Sequence, residues 1–160
     1  MGMIHNAQIC LNGHVISTSA DRHPDLSERY CSRCGAETVT ACRSCSAPIR
    51  GDYDVTGSFG PPDSYALPRF CHSCGQPHPW TAARLEAAAA LADELEGLSA
   101  DERDLLKRSL VELVQDAPNA ELAAVRVKKA LRKVGHAGVE TFRKVLVDVL
   151  SEAAKKSLGL

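Results

Sequence analysis

YCSRCGAETVTACRSC, residues 30–45, holds two Cys-x-x-Cys pairs, Cys31/Cys34 and Cys42/Cys45, and a third, Cys71/Cys74, follows in PRFCHSCGQPHPWT. The seventh and last cysteine, Cys10, precedes His14 by four residues in CLNGH. Four two-ligand hooks make eight donors, enough for two closed tetrahedral zinc sites with no cysteine left over. Sequential pairing of the hooks places Cys10, His14, Cys31 and Cys34 on one ion and Cys42, Cys45, Cys71 and Cys74 on the other. The alternative groups Cys31, Cys34, Cys42 and Cys45, leaving Cys10 and His14 to meet Cys71 and Cys74. The ligand set is the same either way. His23 competes weakly with His14 for the fourth position, while His72, inside its knuckle, is expected to point outward.

Around these hooks the chain changes character near Trp80. Residues 1–80 contain every cysteine, seven of the eight prolines, six of the seven Phe, Tyr and Trp residues and no lysine. Residues 81–160 have no cysteine, one proline and runs of Ala, Leu, Val, Lys and Glu. An N-terminal half so poor in large apolar side chains needs metals or disulfides to stay folded. Disulfides are disfavoured by the odd cysteine count, the short spacing within pairs and a start, MGMIHNAQIC, without the features of a secretory signal. The Ala-rich run 87–92 is too short to span a membrane and is flanked by charge. A reducing cytoplasm is the expected compartment.

Gln8-Ile9-Cys10 and Val15-Ile16 read as strands flanking an Asn12-Gly13 turn, Thr38-Val39-Thr40 as a short strand, and Tyr53 and Val55 as part of another. Gly35 and Gly75, each following the second cysteine of a pair, suit backbone with positive φ. CLNGHVI, YCSRCGAETVTACRSC, PIRG and PRFCHSCGQPHPWT together resemble a bacterial double zinc-ribbon family of unknown function, over roughly residues 5–81. The resemblance implies a ribbon fold and the metal ligands but no activity. In that family the positions of His72 and His78 vary, which implies that neither is a ligand here.

The second half reads as about four amphipathic helices. Thr81 is the expected N-cap of the first, which carries Leu85, Ala88, Ala92 and Leu95 on one face and stops at Gly97, with Trp80 packing ribbon against helix. Ser99 and Glu102 form a capping box ahead of Leu106, Leu110 and Leu113. A third helix starts at Pro118 or Asn119 and ends at Gly135, and a fourth runs from about Val139 to Ser157, burying Phe142, Val145, Leu146, Val149 and Ala153. The fold class is therefore α+β: a double zinc-ribbon of short β-hairpins and knuckles over 1–80, then a helical bundle over 81–160.

Composition excludes more functions than it selects. The formal net charge of −1 falls to about −4 once two zinc ions deprotonate seven thiols, so overall charge makes no case for nucleic acid. Its distribution is uneven, with two basic and seven acidic residues over 81–104 against eleven basic and six acidic from Leu105 onward. On the third helix Arg126, Lys128, Lys129, Arg132 and Lys133 lie opposite Ala123, Val127, Ala130, Leu131 and Val134. All metal donors are consumed in four-ligand sets, and no histidine–glutamate metalloprotease motif, Gly-rich phosphate loop or nucleophile elbow occurs. The expectation is a non-catalytic, zinc-stabilised interaction or adaptor module, with Phe59 and Tyr65 in the 57–65 loop and Arg126, Lys129, Arg132 and Lys133 as candidate contacts for a protein partner. Self-association through the bundle is a further expectation, and the alternative is nucleic-acid binding through the basic third helix.

Overall fold

The computed structural model describes residues 2–54, 65–147 and 150–160. The chain forms two compact units, Met1–Ala82 and Ala83–Leu160. In order they contain β1 (Met3–Asn6), β2 (Gln8–Cys10), β3 (Val15–Ser17), β4 (Thr38–Val39) and β5 (Arg50–Asp54), then α1 (Pro79–Glu94), α2 (Ala100–Val114), α3 (Ala120–Leu131), α4 (His136–Val147) and α5 (Glu152–Leu158). The architecture is α+β: small β-hairpins with cysteine clusters, then helices.

In the first unit β2 is the central strand of a three-stranded antiparallel sheet ordered β3-β2-β4, with Ile9 opposite both Val15 and Val39. The β2–β3 turn closes as Gly13 N–H donates to Cys10 O at 2.8 Å, with Gly13 at φ +88°. A second pair, β1 with β5, sets Met3 against Asp54 and Ile4 against Tyr53; β1 is an element the sequence pattern did not signal. Gly51 in β5 admits no side chain, because a Cβ there would lie 1.9 Å from the Thr18 carbonyl oxygen.

The first unit's core is small: Ala7, Ile9, Ile49 and Trp80, with Val39, Tyr65 and Leu67 packed against it. Trp80 is 1 % exposed, and its indole N–H donates to Pro68 O at 2.9 Å. It therefore belongs to the core of the ribbon unit while lying in the first turn of α1. The helix that carries it starts at Pro79, three residues earlier than a Thr81 N-cap implies, because Pro is accommodated in the first turn. Thr81 is thus a buried residue inside α1 and not its N-cap.

In the second unit the Ser99 hydroxyl accepts from Glu102 N–H at 3.3 Å while the Glu102 carboxylate accepts from Ser99 N–H at 3.1 Å, completing the capping box of α2. Leu106, Leu110 and Leu113 are buried on its inner face. The expected fourth helix is two helices, giving five in all among the described residues. Ser151 is extended at φ −67° and ψ 160°, caps α5 by accepting from Ala154 N–H at 3.1 Å, and donates to Asp116 Oδ1 at 2.6 Å. This break advances the apolar face by one position, so Ala154 and Leu158 are buried where Ala153 was expected, and Ala153 is exposed. Phe142 and Leu146 are buried in α4 as expected, Val145 is half-buried, and Val149 lies outside the described residues. No described helix is long and apolar enough to cross a membrane.

Candidate metal centres

The three Cys-x-x-Cys segments fold identically. In each, the N–H of the first cysteine donates to the carbonyl five residues on: Cys31 to Ala36, Cys42 to Ala47 and Cys71 to Gln76, all at 2.8 Å. The N–H four residues after that cysteine returns to its carbonyl, from Gly35, Ser46 and Gly75 at 2.7, 2.8 and 2.9 Å. An outer bond closes each hairpin: Thr38 N–H to Arg29 O, Ile49 N–H to Thr40 O and His78 N–H to Arg69 O, at 3.2, 2.9 and 3.0 Å. Isolated bridges lie between, at Tyr30–Glu37, Ala41–Pro48 and Phe70–Pro77. The chain thus contains three copies of a ten-residue hairpin, Arg29–Thr38, Thr40–Ile49 and Arg69–His78. The residue after the second cysteine must take positive φ. Gly35 and Gly75 do so at +72° and +70°, and Ser46 does so at +62° without glycine's freedom.

These hairpins gather the donors in the sequential arrangement. The donor atoms of Cys10, His14, Cys31 and Cys34 all lie within 4.8 Å of one another, as do those of Cys42, Cys45, Cys71 and Cys74. The edges have the dimensions of a metal tetrahedron. With Zn–S near 2.3 Å and Zn–N near 2.0–2.1 Å, a regular tetrahedron has S···S edges of about 3.8 Å and S···N edges of about 3.6 Å. Here Cys10 Sγ–Cys34 Sγ and Cys42 Sγ–Cys74 Sγ are 3.8 Å, and Cys45 Sγ–Cys71 Sγ is 3.6 Å. His14 Nδ1 stands 3.5 Å from Cys10 Sγ and 3.6 Å from Cys31 Sγ. A disulfide would bring sulfurs to about 2.05 Å, and all seven cysteines are free. Both donor sets fit a divalent ion.

Backbone and side-chain donors prepare the sulfurs for it. Asn12 Nδ2 donates to Cys34 Sγ at 3.4 Å, His14 N–H to Cys10 Sγ at 3.2 Å and Ser73 N–H to Cys71 Sγ at 3.4 Å. The Ala36 amide draws Cys34 down to about 6, and the Cys74 and Ser73 amides draw Cys71 down to about 6. The Ser44 and Cys45 amides also lower Cys42. Burial raises Cys10. At Cys74 the Gln76 amide favours the thiolate, but burial and the neighbouring Cys45, Cys71 and Cys42 sulfurs outweigh it and push the thiol up to about 12. Four sulfurs at this spacing repel each other's charge, and a bound cation is what lets all of them ionise together. The first cysteine of every hairpin is buried and the second is exposed.

The remaining histidines are in neither donor set. His72 and His23 are exposed, and His78 is buried with its ring stacked on Trp80 at 4.7 Å and 17°. Asn12 was read in the sequence only as a turn residue, and its side-chain bond to Cys34 was missed, although its place in the Cys10–His14 turn makes it adjacent to the first site.

The other candidate residues are placed differently. Tyr65 is half-buried, packs on the ribbon core and donates its hydroxyl to Arg50 O at 2.6 Å. It covers the ribbon core; Phe59 lies outside the described residues. The basic face of α3 is divided. Arg126 pairs with Glu112 at 3.6 Å and Lys133 pairs with Glu102, so these two are engaged within the unit. Lys129 and Arg132 are exposed, with no ion pair among the described residues.

A family model described as "Uncharacterized protein conserved in bacteria (DUF2321)" matches residues 3–158, both units included. No curated protein and no solved structure matches the chain.

Proposed function

We propose that this chain, which belongs to the DUF2321 family of conserved bacterial proteins, is a non-catalytic interaction module in which two structural zinc ions hold the ribbon unit and the helices present a docking face. The observation that carries the reading is the closure of both donor sets. Each offers four ligands, seven of the eight being thiols, and a catalytic zinc keeps a coordination position open for water or substrate. Thiol-dominated tetrahedral sets select zinc among the common divalent ions.

The docking face is on α3. Leu122 and Val125 are 50 % and 61 % exposed, and with exposed Lys129 and Arg132 they follow a spacing of three, four and three residues along one side of the helix. Two aliphatics succeeded by two unpaired cations complement an amphipathic partner with an acidic end. Affinity capture from a bacterial lysate with the intact chain and a Leu122→Glu/Val125→Glu variant tests this. A partner lost with the variant, at unchanged zinc content, supports it; identical capture by both proteins, or no partner, removes it.

Nucleic-acid binding is the second reading, favoured by the unpaired cations of α3. Phosphate contacts would weaken steeply with salt, so an absence of DNA and RNA binding at low ionic strength eliminates it.

A further inference from the structure

The second unit contains a cleft of about 310 Å³ between α3, α4 and the α5 end of the chain. Its apolar lining among the described residues is aliphatic: Leu131, Val139, Leu146, Leu158 and Leu160, of which Leu146 and Leu158 are buried. Among the described residues its charged side chains are all cationic, with Lys128 and Arg132 one turn apart on α3 and Arg143 on α4. None of these three forms an ion pair among the described residues. Among the described residues neither a hydroxyl, an amide nor a carboxylate side chain lines the cleft, and no aromatic ring does. A sugar or nucleobase would find neither hydrogen-bond partners nor a stacking surface there.

Charge complementarity and an apolar interior instead select an anionic head on a hydrocarbon tail. At roughly 30 Å³ of liquid volume per water-sized group, the cleft accommodates about ten heavy atoms. We propose that it is a binding site for a medium-chain fatty carboxylate, with the carboxylate among Lys128, Arg132 and Arg143 and the alkyl tail against Leu131, Val139, Leu146 and Leu158. Arginine is the suited partner, since its planar fork meets a carboxylate through two parallel bonds. The cleft belongs to the second unit and the metal centres to the first; it shares Arg132 with the proposed docking face.

Titration of octanoate into the full-length, zinc-loaded chain, followed by amide NMR and calorimetry, tests the proposal. Saturable shifts confined to α3, α4 and α5 are expected. Octanol should bind about tenfold more weakly, as should the wild-type ligand to an Arg132→Gln/Arg143→Gln variant, because each loses charge-assisted contacts. Acetate at the same concentration should produce no saturable shift. A Val139→Trp variant, filling the cleft, should abolish binding, with the amide spectrum of α2 confirming that the helical unit is folded. The exposed arginine pair gives an independent readout should Val139→Trp disturb α4. Absence of saturation by about 10 mM octanoate, a weak limit for a ligand this small, overturns the site, and so does binding indifferent to the arginine substitutions. Binding of an acidic amphipathic peptide at the cleft without any octanoate response overturns it in favour of protein docking.

Discussion

His14 Nδ1 lies 3.5 Å from Cys10 Sγ, on the short edge of a tetrahedron whose other corners are Cys31 and Cys34. One imidazole nitrogen therefore distinguishes the first centre from the second, which has sulfur alone. X-ray absorption of the zinc-loaded chain should give seven sulfurs and one nitrogen across two ions. His14→Cys should keep two zinc ions per chain, whereas His14→Ala should approach one by elemental analysis. Two ions bound tightly by His14→Ala would show that the imidazole is not a ligand.

The hairpin repeat predicts opposite effects at equivalent positions. Ser46 holds φ +62° where Gly35 and Gly75 hold +72° and +70°, and a side chain in that region costs roughly 1–2 kcal/mol. Ser46→Gly should raise the thermal midpoint of the ribbon unit and Gly75→Ala should lower it. A Cβ at Gly75 meets nothing within 4 Å, so the loss at that site isolates the backbone term. Equal midpoints for all three proteins would refute the shared geometry.

Trp80 combines burial with a hydrogen bond to Pro68 O. Trp80→Ala should cost about 3–5 kcal/mol. Trp80→Phe retains much of the apolar contact but strands the Pro68 carbonyl, for about 1–3 kcal/mol. Urea titration followed by circular dichroism distinguishes the two. A loss from Trp80→Phe as large as that from Trp80→Ala would mean that the indole hydrogen bond to Pro68 O, not apolar burial, governs the site.

Glu102 accepts from Lys133 and from the Ser99 amide, and these, Lys133 first, hold its carboxyl below the ordinary carboxylate range. A carboxylate lowered in the folded state contributes stability that is fully present above its unfolded value, about 4.3, and is lost as the pH falls through its folded one. Lys133→Ala should therefore lower the thermal midpoint modestly at neutral pH, with the gap narrowing in acid. A gap unchanged down to strongly acidic pH would assign the effect to packing. Gly97 tightens the same corner, since a Cβ there would meet the Lys133 carbonyl oxygen at 2.8 Å.

Much of the ribbon was legible because metal ligation imposes spacing on sequence. Paired thiols two residues apart, and a histidine four residues from the remaining cysteine, identify the eight donors. Which hooks share an ion was legible only as a preference for the sequential pairing, because both pairings satisfy the same spacing; the donors do group sequentially, with β2 lying beside β4, a long-range register. Helical periodicity located the apolar faces of α2 and α3 but carried α4 through Ser151, whose hydroxyl competes with the helix for backbone amides. The basic stripe of α3 was visible as charge, while its division into paired and unpaired cations depends on Glu102 and Glu112, residues of another helix. Lys128 and Arg143 are distant in sequence, and only folding brings them to one rim.

The ten-residue hairpin closes its own backbone before any donor from elsewhere arrives, which makes it a cassette. One cassette joins a short turn to complete the first centre, and two join each other to complete the second. Chain between cassettes is free of that geometry. It answers to the sheet and the core instead, through β5 paired with β1 and through Tyr65 and Leu67, so coordination and packing act on alternate stretches of one small unit.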